Sequence, residues 1–305
     1  MSKLLLNHTD VSEKLTIASC VHEMHAGGRS DSLSIRIADT DGQLDKWKLQ
    51  TGSPVEFKDS GVGSGKMFLY TSAPESGYRI LRAYSMPASG TIPNSKAWER
   101  VHFSQIGQEI AKRHGLEFES YGLSDLVYEY RRQENEEDFK FFGRLCKHER
   151  AALTIYDGKL IAAFEPYLEA TEPAVTIDTT GCYTECEDNS LLTYGAATVS
   201  CGPYTGTFRA PDGNSRIWVP EKPIKCQSNL EAVRFAAGEL REKNKMLISG
   251  SIEGSLMPQY APGVMANIVN RQAPSWSGVF FIYKVRHDYG KNKTTIFFRQ
   301  RLEGY

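Results

Sequence analysis

The sequence predicts an α+β fold rich in strands: two similar β regions at the ends of the chain, with a small mixed module between them. Three observations carry this. The first is a faint repeat, in which residues 52–57, 65–70 and 78–84 are echoed by residues 263–268, 278–283 and 294–300. In both copies Gly65 and Gly278 open a strand that ends on a tyrosine, Tyr70 or Tyr283, and a looser match links 33–37 to 247–252. Such self-similarity marks a duplicated unit, although two unrelated antiparallel meanders share these features. The second is a change to helical spacing between 93 and 168. The third is composition: 305 residues, 40% hydrophobic and 24% charged, describe a folded chain with room for about two domains.

The elements follow in order. Residues 32–37 alternate polar and apolar, as a half-buried strand does. Ser60, Gly61, Gly63 and Gly65 form a turn between strands, and residues 89–95 read as a linker. Ser104 is placed to cap a helix with Ile106, Ile110 and Ala111 on one face and Gly115 as its stop. A short strand covers 126–130. Asn135 then caps a second helix, with Asp138 completing a weak capping box and Phe139, Phe142 and Cys146 on one face. Asp157-Gly158 between two β-rich runs is a hairpin signal, because both positions need positive φ. Residues 166–225 read as loop-rich. Ser228 and Glu231 make a capping box for a helix with Leu230, Val233, Ala237 and Leu240 at helical spacing. Strands return after it. The predicted division is 1–92, 93–168 and 169–305.

Composition narrows the function. Net charge is −1, so no global basic footprint for nucleic acid exists. No run of 18 apolar residues suggests a membrane helix, and the apolar stretch at residues 4–6 is too short for a signal peptide. Without export, Cys20, Cys146, Cys182, Cys186, Cys201 and Cys226 are expected as reduced thiols.

Four patterns bear on chemistry. Gly61, Gly63, Gly65 and Lys66 superficially resemble a phosphate-binding loop. However, Ser60 replaces its first glycine, Met67 follows the lysine, and a strand follows where a helix N-terminus is needed. His22 and His25 are three apart rather than four, and in a strand they face opposite ways; a polar strand edge is preferred over a metal site. Cys182 and Cys186 have zinc-ligand spacing, but Cys201 and Cys226 are too separated for a second knuckle, so free thiols are preferred. Glu134, Glu136, Glu137 and Asp138 suit a helix N-terminus and need no catalytic role. No Gly-x-Ser-x-Gly elbow occurs. No catalytic residue, cofactor or metal is assigned.

One family resemblance remains. Arg132, Gln133, Glu134, Asn135, Glu136, Glu137, Asp138 and Phe139, continuing to Leu145, resemble the Gln-Asn-Glu-Ser-Asp segment of late control D proteins, the baseplate hub proteins of contractile phage tails. Residues 103–116 are similar to that family's preceding helix, and 153–160 to its following hairpin. Gly278 to Asp288 resemble its Gly-x-Tyr-x-Val-x-x-Val-x-His strand. The pieces occur in the family's order. Two departures stand out: Glu149-Arg150 occupies a place where glycine often ends the helix, and 182–226 matches nothing.

The resemblance implies two tail-tube-like antiparallel β-barrels per chain, with the α+β module inserted. It implies a homotrimer whose ring adapts a sixfold tail tube to a threefold central spike. Partners would be the tube protein, the spike and other baseplate or tape-measure proteins, in a virion tail or phage-tail-like particle assembled in the bacterial cytoplasm. No enzyme activity, specific nucleic-acid binding or membrane insertion is implied. Phe139, Phe142 and Tyr283 are expected in the core, and 279–285 in a barrel wall. The alternatives are a tail-associated peptidoglycan hydrolase, for which an acidic pair within 182–226 would be the place to look, and a glycan-binding module centred on 103–118.

Overall fold

The computed structural model describes residues 2–211 and 213–305. The sequence repeat reappears as a repeat of strand order. In the first β unit the spatial order is Pro54–Asp59, Met67–Glu75, Tyr78–Tyr84, Ser32–Ala38 and Ile17–His25, all antiparallel. In the second it is Val264–Val269, Gly278–Asp288, Lys293–Gln300, Ile248–Ser255 and Tyr183–Asp188, again all antiparallel. The likeness extends to a defect. The ladder slips between Leu69 and Thr71 in one unit and between Ile282 and Lys284 in the other. Tyr70 and Tyr283, matched in the sequence repeat, are therefore each the extra residue of a β-bulge. Any meander shares a strand order; a bulge at a matching residue is a more specific mark of duplication.

The second bulge is a corner. Before Tyr283 the strand Gly278–Asp288 pairs with Val264–Val269; after it, Lys284 to Asp288 pair with His25 to Val21 of the first unit. The Ala26 N–H donates to the Tyr283 carbonyl at 2.9 Å, at the point of exchange. One 14-stranded sheet thus runs through both units. The two expected barrels are not seen closed in the single chain. Among the described residues no barrel closes within the chain, because the strand that would close the second unit leaves it for its neighbour. Each unit has its own core, Leu33, Ile35, Phe57, Met67, Leu69 and Leu81 in the first and Ile252, Ile268, Ile282, Val285 and Phe298 in the second, and Met24 of the first unit's outer strand packs into the second core.

Among the described residues five α-helices accompany the sheets: α1 (Gln43–Lys46), α2 (Phe103–Arg113), α3 (Asp138–His148), α4 (Glu165–Glu169) and α5 (Asn229–Asn244). A third core joins α2, α3 and α5 through Ile106, Ile110, Phe142, Leu145, Phe235 and Leu240. It draws 196–240 into the same cluster as the middle of the chain. The segment read as loop-rich in fact carries α4 and the strands Val175–Asp178, Tyr183–Asp188, Ala196–Cys201, Tyr204–Arg209 and Ile217–Trp218. Val175–Asp178, Ala196–Cys201 and Tyr204–Arg209 do alternate apolar and polar residues, but each is only four to six residues long, too short to stand out. Phe139 and Phe142 are buried as expected.

Caps differ from expectation in detail. α2 starts two residues earlier, with His102 at the cap: its N–H donates to Gln105 Oε1 at 3.0 Å. Asn135 caps nothing. It sits at φ 45° in a bulge of the strand Val127–Glu137, which pairs antiparallel with Pro93–His102. The supposed linker is therefore a 3-10 turn, Ala88–Thr91, followed by the start of the strand Pro93–His102. After α3, Arg150 adopts φ 60°, so an arginine takes the left-handed turn that glycine usually serves. Asp157 (φ 46°) and Gly158 (φ 79°) make the predicted hairpin. Ser228 Oγ accepts from the Glu231 N–H at 3.1 Å and caps α5, but Leu230 is 78% exposed; Ala232, Phe235, Ala236 and Leu240 form the buried face.

A buried charge network fastens the helical layer to the second unit. Arg241 of α5 and Arg299 of Lys293–Gln300 enclose Glu165 and Glu169 of α4. Arg241 Nε donates to Glu165 Oε2 at 2.6 Å, Arg299 reaches Glu169 at 2.6 Å, and Arg241 also bonds Glu169. Burial alone would raise the Glu165 pKa; Lys245, Arg241 and Arg299 outweigh it and bring it down to about 2. Such a network fixes geometry more than it adds net stability.

Candidate functional site

The residues singled out for chemistry are mostly consumed by structure. The turn from Ser60 to Gly65 leads into the strand Met67–Glu75. The Lys66 N–H donates to Asp157 Oδ1 at 3.0 Å, so a carboxylate of the inserted hairpin already occupies that amide. His22 and His25 lie in Ile17–His25. The thiols separate: Cys186 is exposed on an edge strand and Cys182 precedes it, whereas Cys201 and Cys226 belong with the α5 core. Among the described residues no three His, Cys, Asp or Glu side chains group as metal ligands. Asp138 is buried at the start of α3 and accepts from Gln133 (2.7 Å), Arg113 (2.7 Å) and His114 (2.9 Å). Within 182–226, Glu185, Glu187 and Asp188 line an open strand edge and bond only Tyr183, Asn189 and Ser190.

What the fold does offer is edges. Tyr183–Asp188 is paired on one side only, with Ile248–Ser255. Tyr183 on it is 64% exposed, and Leu191 just beyond is 92% exposed. In the first unit, Met67–Glu75 pairs with Pro54–Asp59 only through Met67 and Phe68, so its far half from Thr71 has one free side. Free edges carry rows of unpaired N–H and C=O groups and recruit other strands. Shorter strands border the sheet elsewhere: Lys3–Leu6 pairs with Pro54–Asp59 and with the two-residue Thr9–Asp10, and Val175–Asp178 lies parallel to Val264–Val269 with, among the described residues, no strand on its other side. Sequence reading missed these free edges, because its strand signals do not report whether a strand has one neighbour or two.

The junction between the units shows what an occupied edge looks like. Lys284 Nζ lies 3.0 Å from Glu23, and His25 Nε2 lies 3.1 Å from the same carboxylate. His22 and His287 stand opposite each other with ring centroids 6.4 Å apart. His287 is bonded to Thr294 (2.9 Å) and the Tyr260 carbonyl (3.0 Å), whereas His22 Nε2 has no partner. Burial, and secondarily His287, push the His22 pKa down to about 3. Asp31, whose carboxylate accepts the His25 N–H at 2.8 Å, is pushed up to about 7 chiefly by burial.

No family model and no curated protein sequence matches the chain. Solved structures do. A tail protein from Neisseria meningitidis superposes with a TM-score of 0.74 at 11% identity, covering 98% of this chain and 96% of that one. The 43 kDa tail protein of prophage MuSo2 from Shewanella oneidensis gives 0.72 at 10% identity, again over 98% and 96%. The E. coli c3393 protein gives 0.61 at 12% identity over 99% of this chain and 78% of that one. It is described as a type VI secretion component with structural similarity to the phage T4 tail proteins gp27 and gp5. At these identities the likeness is one of fold. The neighbours are phage-tail and secretion-system structural proteins, and the shared fold is β-rich α+β.

Proposed function

We propose that the chain is the structural baseplate hub of a contractile tail or phage-tail-like particle. Three copies form a ring that adapts a sixfold tail tube to a threefold spike, and no reaction is catalysed. The observation that carries this is the repeat of two five-stranded units, matched to the bulge and joined side by side in one chain. Two like units per chain, taken three times, supply six like positions in a closed ring, which a heterologous contact can complete. The tail-protein folds above support the same reading, as does the ordered resemblance to late control D proteins. Tube, spike and neighbouring baseplate proteins would be the partners, and the division 1–92, 93–168 and 169–305 would mark barrel, insert and barrel of the assembled ring. The test is the native mass by light scattering, with negative-stain images of the same peak. A trimeric ring with a central hole is expected. A compact monomer, still monomeric when mixed with its tube and spike neighbours, would sink the reading.

A further inference from the structure

The junction inside the chain predicts the junction between chains. We infer that the free half-strand from Thr71 in one copy pairs antiparallel with the free edge Tyr183–Asp188 of a second copy. This rests on the hub reading and adds to it a specific pair of edges in a specific register. The argument is one of equivalence. The two bulges equate Tyr70 with Tyr283, and therefore Thr71 with Lys284, Ser72 with Val285 and Ala73 with Arg286. Following the ladders across each unit equates Ser34 with Ser251, and then His22 with Cys186, Glu23 with Glu187 and Met24 with Asp188. Within the chain, the half-strand after the second bulge pairs with the outer strand of the first unit: Val285 faces Met24 and Arg286 faces Glu23. The same operation applied once more places Ser72 opposite Asp188 and Ala73 opposite Glu187 of the next copy.

Both members of this predicted pair are open edges. The half-strand after the first bulge has no partner on that side, and neither has Tyr183–Asp188. Continuity with the in-chain junction therefore selects a second copy as the occupant. The contact is heterologous, since each copy offers a different edge on each side, and repetition builds a ring or a filament. The side chains permit it: Thr71, Ser72 and Ala73 are small and meet Asn189, Asp188 and Glu187 without like charge. The ladder ends at Pro74, which has no N–H to give. Glu75 beyond it would face Glu185, but its carboxylate already lies 3.1 Å from Arg36 Nε.

The experiment is cross-linking in the full chain with Cys186→Ser as background, so that the natural thiol on the edge cannot interfere. Ala73→Cys with Glu187→Cys, and separately Ser72→Cys with Asp188→Cys, are oxidised with diamide, a two-electron oxidant that takes up the two thiol protons as each disulfide forms. Directly opposed residues in an antiparallel pair lie within disulfide reach. Non-reducing gels are expected to show a ladder ending at the trimer for at least one pair, and nothing above monomer for either single cysteine. Light scattering on the unoxidised proteins separates the failures. A trimer that neither pair cross-links overturns this junction and leaves the hub intact. A monomer at every concentration, also when mixed with its tube and spike neighbours, overturns both.

Discussion

The two β units share their interior and differ at their margins. Strand order, bulge and core match, yet positions equivalent by the ladders have opposite fates. Val285 is fully buried at the in-chain junction, while its counterpart Ser72 is only half-buried at an open edge. His22 is 3% exposed and its counterpart Cys186 is exposed. Each unit also ties a short helix down with a buried arginine: Arg79 holds Asp45 of α1 and Asp39 in the first, and Arg299 holds Glu165 and Glu169 of α4 in the second. A repeated frame is thus held constant by its core, and its role is set by what each margin is given to meet.

The arginines give the largest test of that comparison. Arg299→Ala leaves two carboxylates buried beside a single arginine and Lys245, and is expected to cost about 3–5 kcal/mol. Arg79→Ala is expected to cost about 1–2 kcal/mol, because Asp45 is largely solvated while Asp39 is not. Urea denaturation of both variants gives the ranking. Hydrogen exchange should show the first unit still protected in Arg299→Ala; equal losses in both variants would break the comparison.

The junction gives a pH test. The folded His22 has a pKa below its ordinary value of about 6.5, so the unfolded chain binds the proton first. Its contribution to stability is present at neutral pH and is lost as pH falls from about 6.5 toward 3. Asp31 acts oppositely: held up near 7, it favours the fold at low pH and loses that contribution as pH rises from about 4 to 7. His22→Gln isolates the first effect. The wild type should lose stability relative to this variant between pH 6.5 and 4, and parallel stability curves would show that the pair does not titrate on unfolding.

The smallest effects sharpen how firmly the helical layer is held. Ser228→Ala removes the α5 cap and should cost about 1 kcal/mol. Leu230→Ser, at an exposed helix position, should stay within about 0.5 kcal/mol. A reversed order in thermal melts would mean that Leu230 is covered in solution.

What was legible follows from how locally each signal is written. The Asp157-Gly158 hairpin needs only its own φ angles, and the Ser228 cap only its own turn. The matched strands around Tyr70 and Tyr283 were visible because glycines open them. Asn135 misled because an Asx residue serves a left-handed bulge as readily as a cap. Leu230 misled because helical spacing fits more than one face when alanines are interspersed. The partner exchange at Tyr283, and with it the open edges, depends on residues at opposite ends of the chain. The same holds for the clustering of Glu165, Glu169, Arg241 and Arg299. Periodicity has no access to either.

That exchange at Tyr283 has a consequence in time. His25 and Lys284 are opposite each other in the sheet but far apart along the chain. At ribosomal speeds of about 5–20 residues per second, Ile17–His25 waits for its partner for roughly ten to fifty seconds after it emerges. Closing so long a loop is a late and slow event in folding. During the wait the first unit displays a strand edge that is destined to be covered, so chains cut short before Gly278 should be the ones that aggregate or capture the wrong neighbour.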